Sequence, residues 1–213
     1  MRRTIGAAVL VSLVSLGCGA DGRTAPTADA VVRIEVEPCR GGPVGRATGF
    51  AVSTYGIVTV AHALDDARSF TVLDASGRER NAELVHRDDE LDVAVLRLDD
   101  PMAGPLSLGP SVRRGDATVL STGAVDGIRS QDVVVRRRAR VSLDGGLRRR
   151  AIEIEADIVP GDSGGPVVVD DAAVAMVFAT SRRDARGWAL DATELARALR
   201  ATDVASTVAL SCD

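Results

Sequence analysis

From Ala30 onward, short runs of apolar and β-branched residues recur with turn residues between them. They read AVVRIEVE, TGFAVS, GIVTVAHAL, SFTVLD, NAELVHR and DVAVLRL, then DATVLSTG, DVVVRRRARVSL, LRRRAIEIEA, GPVVVD, VAMVFATS and GWAL. Each run is too short for an amphipathic helix and is bounded by Gly, Pro, Asp or Ser, so the pattern predicts an all-β chain. The proline-rich segment PMAGPLSLGP, residues 101–110, divides the strands into two groups. The expected architecture is two six-stranded antiparallel β-barrels, about residues 31–100 and 111–190, in one compact unit. A single helix is predicted over about 192–200, where Asp191 can cap, Glu194 follows three residues later, and Leu195 and Leu199 share a face. The residues after it are too few for an appended peptide-binding domain.

Composition narrows the function classes. The chain carries 26 basic and 30 acidic residues, a net charge of −4, which excludes a nucleic-acid binder held by overall positive charge. Every basic residue is arginine. With 3 Phe, 1 Trp and 1 Tyr, the core has to be built from Val, Ile, Leu and Ala. Arginine triplets at 136–138 and 148–150 flank an Asp144-Gly145-Gly146 turn. They are expected on a solvated barrel exterior; docking to an anionic lipid or cell-wall polymer is the alternative.

The first 18 residues pair Arg2 and Arg3 with an apolar run from Ile5 to Leu16, too short to span a bilayer as a helix. This reads as an export signal, and Ser15-Leu16-Gly17-Cys18 resembles a bacterial lipoprotein signal, which implies a lipid on Cys18. Ordinary cleavage near Ala20 is the alternative. Residues 19–30 read as a flexible linker, and the domain is expected over 31–213. Either cleavage leaves Cys39 and Cys212 as the pair available in an oxidising envelope or periplasm, where a disulfide between them is expected and two unpaired thiols are the alternative.

The strongest chemical signal is Gly161-Asp162-Ser163-Gly164-Gly165-Pro166. A serine between glycines in a tight turn presents its hydroxyl forward, while the amides of Gly161 and Ser163 can converge on a developing oxyanion. Serine alone is a poor nucleophile and needs a base, itself oriented by a third group. Two histidines are present: His62 follows a strand in TVAHA, and His86 lies in the polar sequence LVHRDDE, expected as a turn. Asp92 leads into the apolar run DVAVL.

The ordered set TVAH, DVAVL and GDSGGP resembles the trypsin-like, chymotrypsin-fold serine proteases. Within that family the chain is most similar to the actinobacterial periplasmic serine protease of acid resistance, on Cys39, Thr48-Gly49-Phe50, Asp157 to Pro166, Val177-Phe178-Ala179, Gly187 to Leu190 and Cys212. It departs from that relative in lacking membrane helices. The resemblance implies Ser163 as nucleophile, His62 as general acid and base, Asp92 as the carboxylate that orients it, and Gly161 and Ser163 as the oxyanion hole. It also implies a side-chain pocket at Asp157, Thr180 and Gly187, in which Asp157 would favour a basic residue. Nothing resembles the IVGG start of an activated digestive enzyme, so Asp162 is expected to pair with a nearby arginine or backbone amides. The expected partners are protein or peptide substrates and, through Cys18, a membrane. No cofactor is expected, and two distant histidines make no metal site. A catalytically inactive relative serving as a binding module is the alternative function.

Overall fold

The computed structural model describes residues 27–123, 127–142, 148–181, 185–203 and 205–212. The export segment, Cys18 and most of the linker lie outside the described residues. The first strands are β1 (Val31–Pro38), β2 (Gly45–Ser53), β3 (Gly56–Thr59), β4 (Ala67–Leu73), β5 (Glu79–Arg80), β6 (Ala82–Asp88) and β7 (Val93–Leu98). They form one antiparallel sheet in the order β5-β4-β1-β2-β3-β7-β6. The second group is β8 (Gly115–Ser121), β9 (Arg129–Val141), β10 (Arg149–Glu155), β11 (Pro166–Val169), β12 (Ala172–Ser181) and β13 (Arg186–Asp191). These close into a barrel in the order β10-β13-β12-β11-β8-β9. Helix α1 (Ala192–Ala201) follows directly, capped by the Asp191 side chain, which accepts from the Thr193 amide.

The chain is therefore all-β with one terminal helix, and its second barrel closes as expected. The first group differs in detail, being a curled sheet of seven strands instead of a closed six-stranded barrel. Its two edges are β5 and β6, and only Asn81 separates them in sequence. One strand thus breaks at Asn81 and pairs with opposite neighbours on its two sides, so the sheet curls until its edges adjoin.

Order begins earlier than the linker reading implies. Ala28–Ala30 form a 3-10 turn, Ala30 is fully buried and Thr27 nearly so. His86 also departs from expectation: it lies inside β6, beside a bulge, opposite Val95 of β7. The core lacks aromatic bulk, as the composition requires, and its largest fully buried side chains are mostly Ile, Leu and Val, joined by Phe50 and Met176. Strand β10 has two buried faces. Ile152 and Ile154 belong to the barrel's own core cluster, whereas Ala151 belongs to the larger cluster that also holds the first sheet's buried residues. That second face brings the two halves together along the line where the candidate chemistry gathers.

Candidate active site

The first half contributes an imidazole and a carboxylate. Strand β3 ends at Thr59, and the chain turns through a second 3-10 turn, His62–Leu64, which presents His62 at the sheet margin. Asp92, just before β7, is 6% exposed and has a left-handed backbone with φ of 60°. Aspartate tolerates this region better than most residues. Its carboxylate grips His62 twice: Oδ1 accepts from the His62 amide at 2.9 Å, and Oδ2 lies 2.8 Å from Nδ1. This fixes the ring and leaves Nε2 without a partner among the described residues. The hydrogen bond to Asp92 raises the His62 pKa above the ordinary histidine value; burial opposes the rise, the charges of Asp92 and Asp65 add to it, and Arg149 offsets part of it.

The second half contributes the serine turn between β10 and β11. Gly161 and Gly164 both take positive φ, 96° and 89°. A Cβ on Gly164 would stand 1.8 Å from the Thr48 carbonyl oxygen and 2.6 Å from Thr59 Oγ1, so no other residue fits there. This contact also seats the turn on the end of β3, three residues before His62. Thr48 is the hub: its amide donates to the Ser163 carbonyl at 2.8 Å, and its hydroxyl donates to the Gly161 carbonyl at 2.7 Å. The Thr122 amide donates to the same hydroxyl, and Thr59 Oγ1 donates to the Thr48 carbonyl. Ser163 is partly exposed. Among the described residues its hydroxyl is unbonded, and neither the Gly161 nor the Ser163 amide donates to a protein acceptor. Among the described residues a hydroxyl, a ring nitrogen and two amides thus remain without protein partners, and these are group types that acyl transfer uses.

Asp162 anchors the turn from beneath. It is fully buried, and its Oδ2 accepts from Arg129 Nη1 at 3.0 Å and from the Val159 amide at 2.9 Å, while Oδ1 accepts from Ser121 at 2.6 Å. Arg129 also donates to the Asp157 carbonyl through both terminal nitrogens. A buried carboxylate is tolerable only when paired and hydrogen-bonded in this way.

The proposed side-chain pocket is differently arranged. Thr180 and Gly187 are directly opposite each other across β12 and β13. Asp157, however, is exposed. A Cβ on Gly187 would meet Ile158 Cγ1 at 2.8 Å and Ile154 Cγ1 at 3.0 Å, so isoleucine and not aspartate adjoins that glycine. Cys39 and Cys212 are joined by a disulfide. No group of three or more His, Cys, Asp or Glu residues among the described residues could hold a metal ion.

The expected pairing of Asp162 with an arginine and a backbone amide is met by Arg129 and Val159, although sequence reasoning did not single out Arg129; it missed Thr48 and Arg149, and Arg149 is the most instructive. It belongs to one of the triplets expected outside the barrel, yet it is buried. Strand alternation was the available signal, since Arg149 shares the face of Ala151 and Glu153. The remaining triplet residues mostly serve internal pairs. Arg136 bonds Glu155, Arg137 pairs with the buried Glu153, Arg150 with Glu194, and Arg138 donates to the carbonyls of Ser111 and Val112.

Residues 47–176 match the model of the trypsin-like peptidase domain. The serine protease Rv3671c of Mycobacterium tuberculosis is 29% identical over 182 residues, covering 81% of this chain and 46% of the relative. A probable periplasmic serine endoprotease, DegP-like, of Brucella suis is 31% identical over 131 residues, 58% of this chain and 25% of the relative. The chain therefore spans about half or less of the length of these relatives. Among solved structures, the active form of the Rv3671c protease superposes with a TM-score of 0.82 at 27% identity, covering 88% of this chain and 87% of that one. Its inactive form gives 0.73 at 26% identity, covering 84% and 92%.

Proposed function

Given that the chain belongs to the trypsin-like peptidase family, we propose that it is a serine endopeptidase working through Ser163, His62 and Asp92. The observation that carries this most is the double grip of Asp92 on His62, which engages the backbone amide and Nδ1 at 2.9 and 2.8 Å and leaves Nε2 without a partner among the described residues, available to a serine hydroxyl.

Nε2 accepts the Ser163 proton as Oγ attacks the substrate carbonyl, and the imidazolium formed is stabilised by Asp92. The negative oxygen of the tetrahedral intermediate takes the free amides of Gly161 and Ser163. Collapse breaks the C–N bond, and His62 passes its proton to the departing amine. Water, deprotonated by His62, then attacks the acyl-enzyme, and the proton returns to Ser163 as the carboxylic product leaves. The Asp162–Arg129 pair holds the turn without any new N-terminus, which supports activity with no cleavage before Val31.

Thr180 and Gly187 flank the substrate side chain in this reading, and Ile158 beside Gly187 favours a small apolar residue there. Asp157 is an exposed residue, which weakens the case for a basic preference. Export to the envelope or periplasm is supported by residues 1–18 and by the periplasmic description of the DegP-like relative, and the Cys18 pattern supports a lipid anchor. The test is a peptide library incubated with the protein: cleavage after small apolar residues, abolished in Ser163→Ala, is expected. Cleavage mainly after Arg or Lys would overturn the specificity, and no cleavage by well-folded protein would favour a binding module.

A further inference from the structure

Behind the His62–Asp92 pair lies a guanidinium that the mechanism above does not use. Arg149 opens β10, but its side chain leaves the barrel and enters the contact between the two halves, where the residue is 6% exposed. Its Nη1 donates to the Leu91 carbonyl at 3.0 Å and lies 3.9 Å from Asp92 Oδ2, the oxygen that engages His62 Nδ1. The guanidinium lies over the Phe178 ring, 5.2 Å from its centroid. Its Nε is buried without a partner among the described residues.

As a contribution to stability alone this arrangement is poor. A buried cation with one carbonyl bond and one carboxylate at longer range carries a desolvation cost of several kcal/mol, and apolar side chains of similar volume often replace such groups without loss. Its position makes sense with respect to Asp92. The Leu91 carbonyl belongs to the peptide that leads into Asp92, whose φ is positive and whose carboxylate must face both the amide and the ring of His62. Holding that peptide plane determines where the carboxylate points.

Resting on the triad reading above, we propose that Arg149 is a positioning residue: it fixes the Leu91–Asp92 peptide from the opposite half of the molecule, so that the carboxylate meets His62 only when the two halves are docked. A second consequence is electrostatic. The charged groups acting on His62 are Asp92, Asp65 at the end of its own 3-10 turn, and Arg149 from β10; Asp65 is itself paired with Arg87 of β6. The two acids make the imidazole more basic and Arg149 makes it less so.

The experiment compares the full chain with R149Q and R149K, with turnover expressed per active site titrated by a fluorophosphonate. R149Q is expected to lose about tenfold or more in kcat with little change in KM, the scale on which small misplacements act. Its acid limb of kcat/KM should move to lower pH, because a loosened Asp92 hydrogen bond, the largest influence raising the His62 pKa, outweighs the loss of the smaller opposing charge. R149K should keep a several-fold deficit in kcat, since an ammonium keeps the charge but not the reach of the fork. Wild-type turnover and an unmoved acid limb in R149Q would overturn the role. If R149Q does not fold, R149K decides alone: a several-fold deficit per titrated site supports the proposal, and full turnover overturns it. A folded wild type that takes no label overturns the triad reading and this proposal together, whereas a labelled wild type with an indifferent R149Q removes only Arg149.

Discussion

Single residues set the conditions at this site, and His62 gives the most direct prediction. Its pKa is raised chiefly by the hydrogen bond to Asp92. Since the base works only when neutral, the acid limb of kcat/KM is expected above about pH 6.5, the unperturbed histidine value. The sign for stability is opposite: a raised folded pKa contributes stability that is complete below about pH 6.5 and is lost as the pH climbs through the folded value. Replacing Asp92 by Asn removes both the charge and the correct tautomer. It should lower kcat by about ten-thousand-fold, by analogy with other triads, and let the His62 pKa fall in an NMR titration. Gly164→Ala should cost about 3 kcal/mol or more in denaturant unfolding, because it combines a φ of 89° with a contact at 1.8 Å. His62, Asp92 and Ser163 stand out in the sequence as candidates because each sits in a short motif with its own local geometry. Thr48, Arg129 and Arg149 do not, because what defines them is a partner far along the chain, as in Thr48 with Gly161 or Arg149 with Leu91.

At the scale of elements, the serine turn is held by the start of a strand. Arg129 begins β9, and from there it reaches a carboxylate with no exposed surface. Arg129→Met leaves that charge buried and unpaired, with an expected loss of about 3–5 kcal/mol in urea unfolding; adding Asp162→Asn to the same chain should recover part of it. The strand runs were legible because alternation and turn residues mark them. The break at Asn81 was not, since it depends on which neighbours the two pieces pair with, and nothing local records that. Burial also corrects an expectation about the start of the domain. Thr27 and Ala30 are packed in, so trimming the chain to begin at Val31 should lower the melting temperature and bring no gain in activity.

Across the whole molecule, the proposed chemistry requires two halves to meet, and the chain's end returns to help hold them. After α1 the Val208 amide donates to the Leu84 carbonyl of β6 at 2.7 Å, and Cys212 bonds to Cys39 just beyond β1. The disulfide spans a sequence separation of 173 residues, for which the chain-entropy model gives about 5 kcal/mol as an upper estimate. Cys39→Ser with Cys212→Ser should therefore unfold at clearly lower denaturant than the oxidised protein. The pairing of these cysteines was legible because so few thiols are present; the docking of the tail on β6 was not, because a lone backbone bond leaves no pattern in the sequence. The central claim is that an imidazole and a carboxylate on one half activate a hydroxyl on the other. Its most direct test is to treat the folded protein with a fluorophosphonate and locate the adduct by mass spectrometry. One adduct per chain on Ser163, lost in His62→Ala while that variant keeps the wild-type circular dichroism, is the predicted result. No adduct on well-folded wild type, or labelling of Ser163 that does not depend on His62, would contradict it.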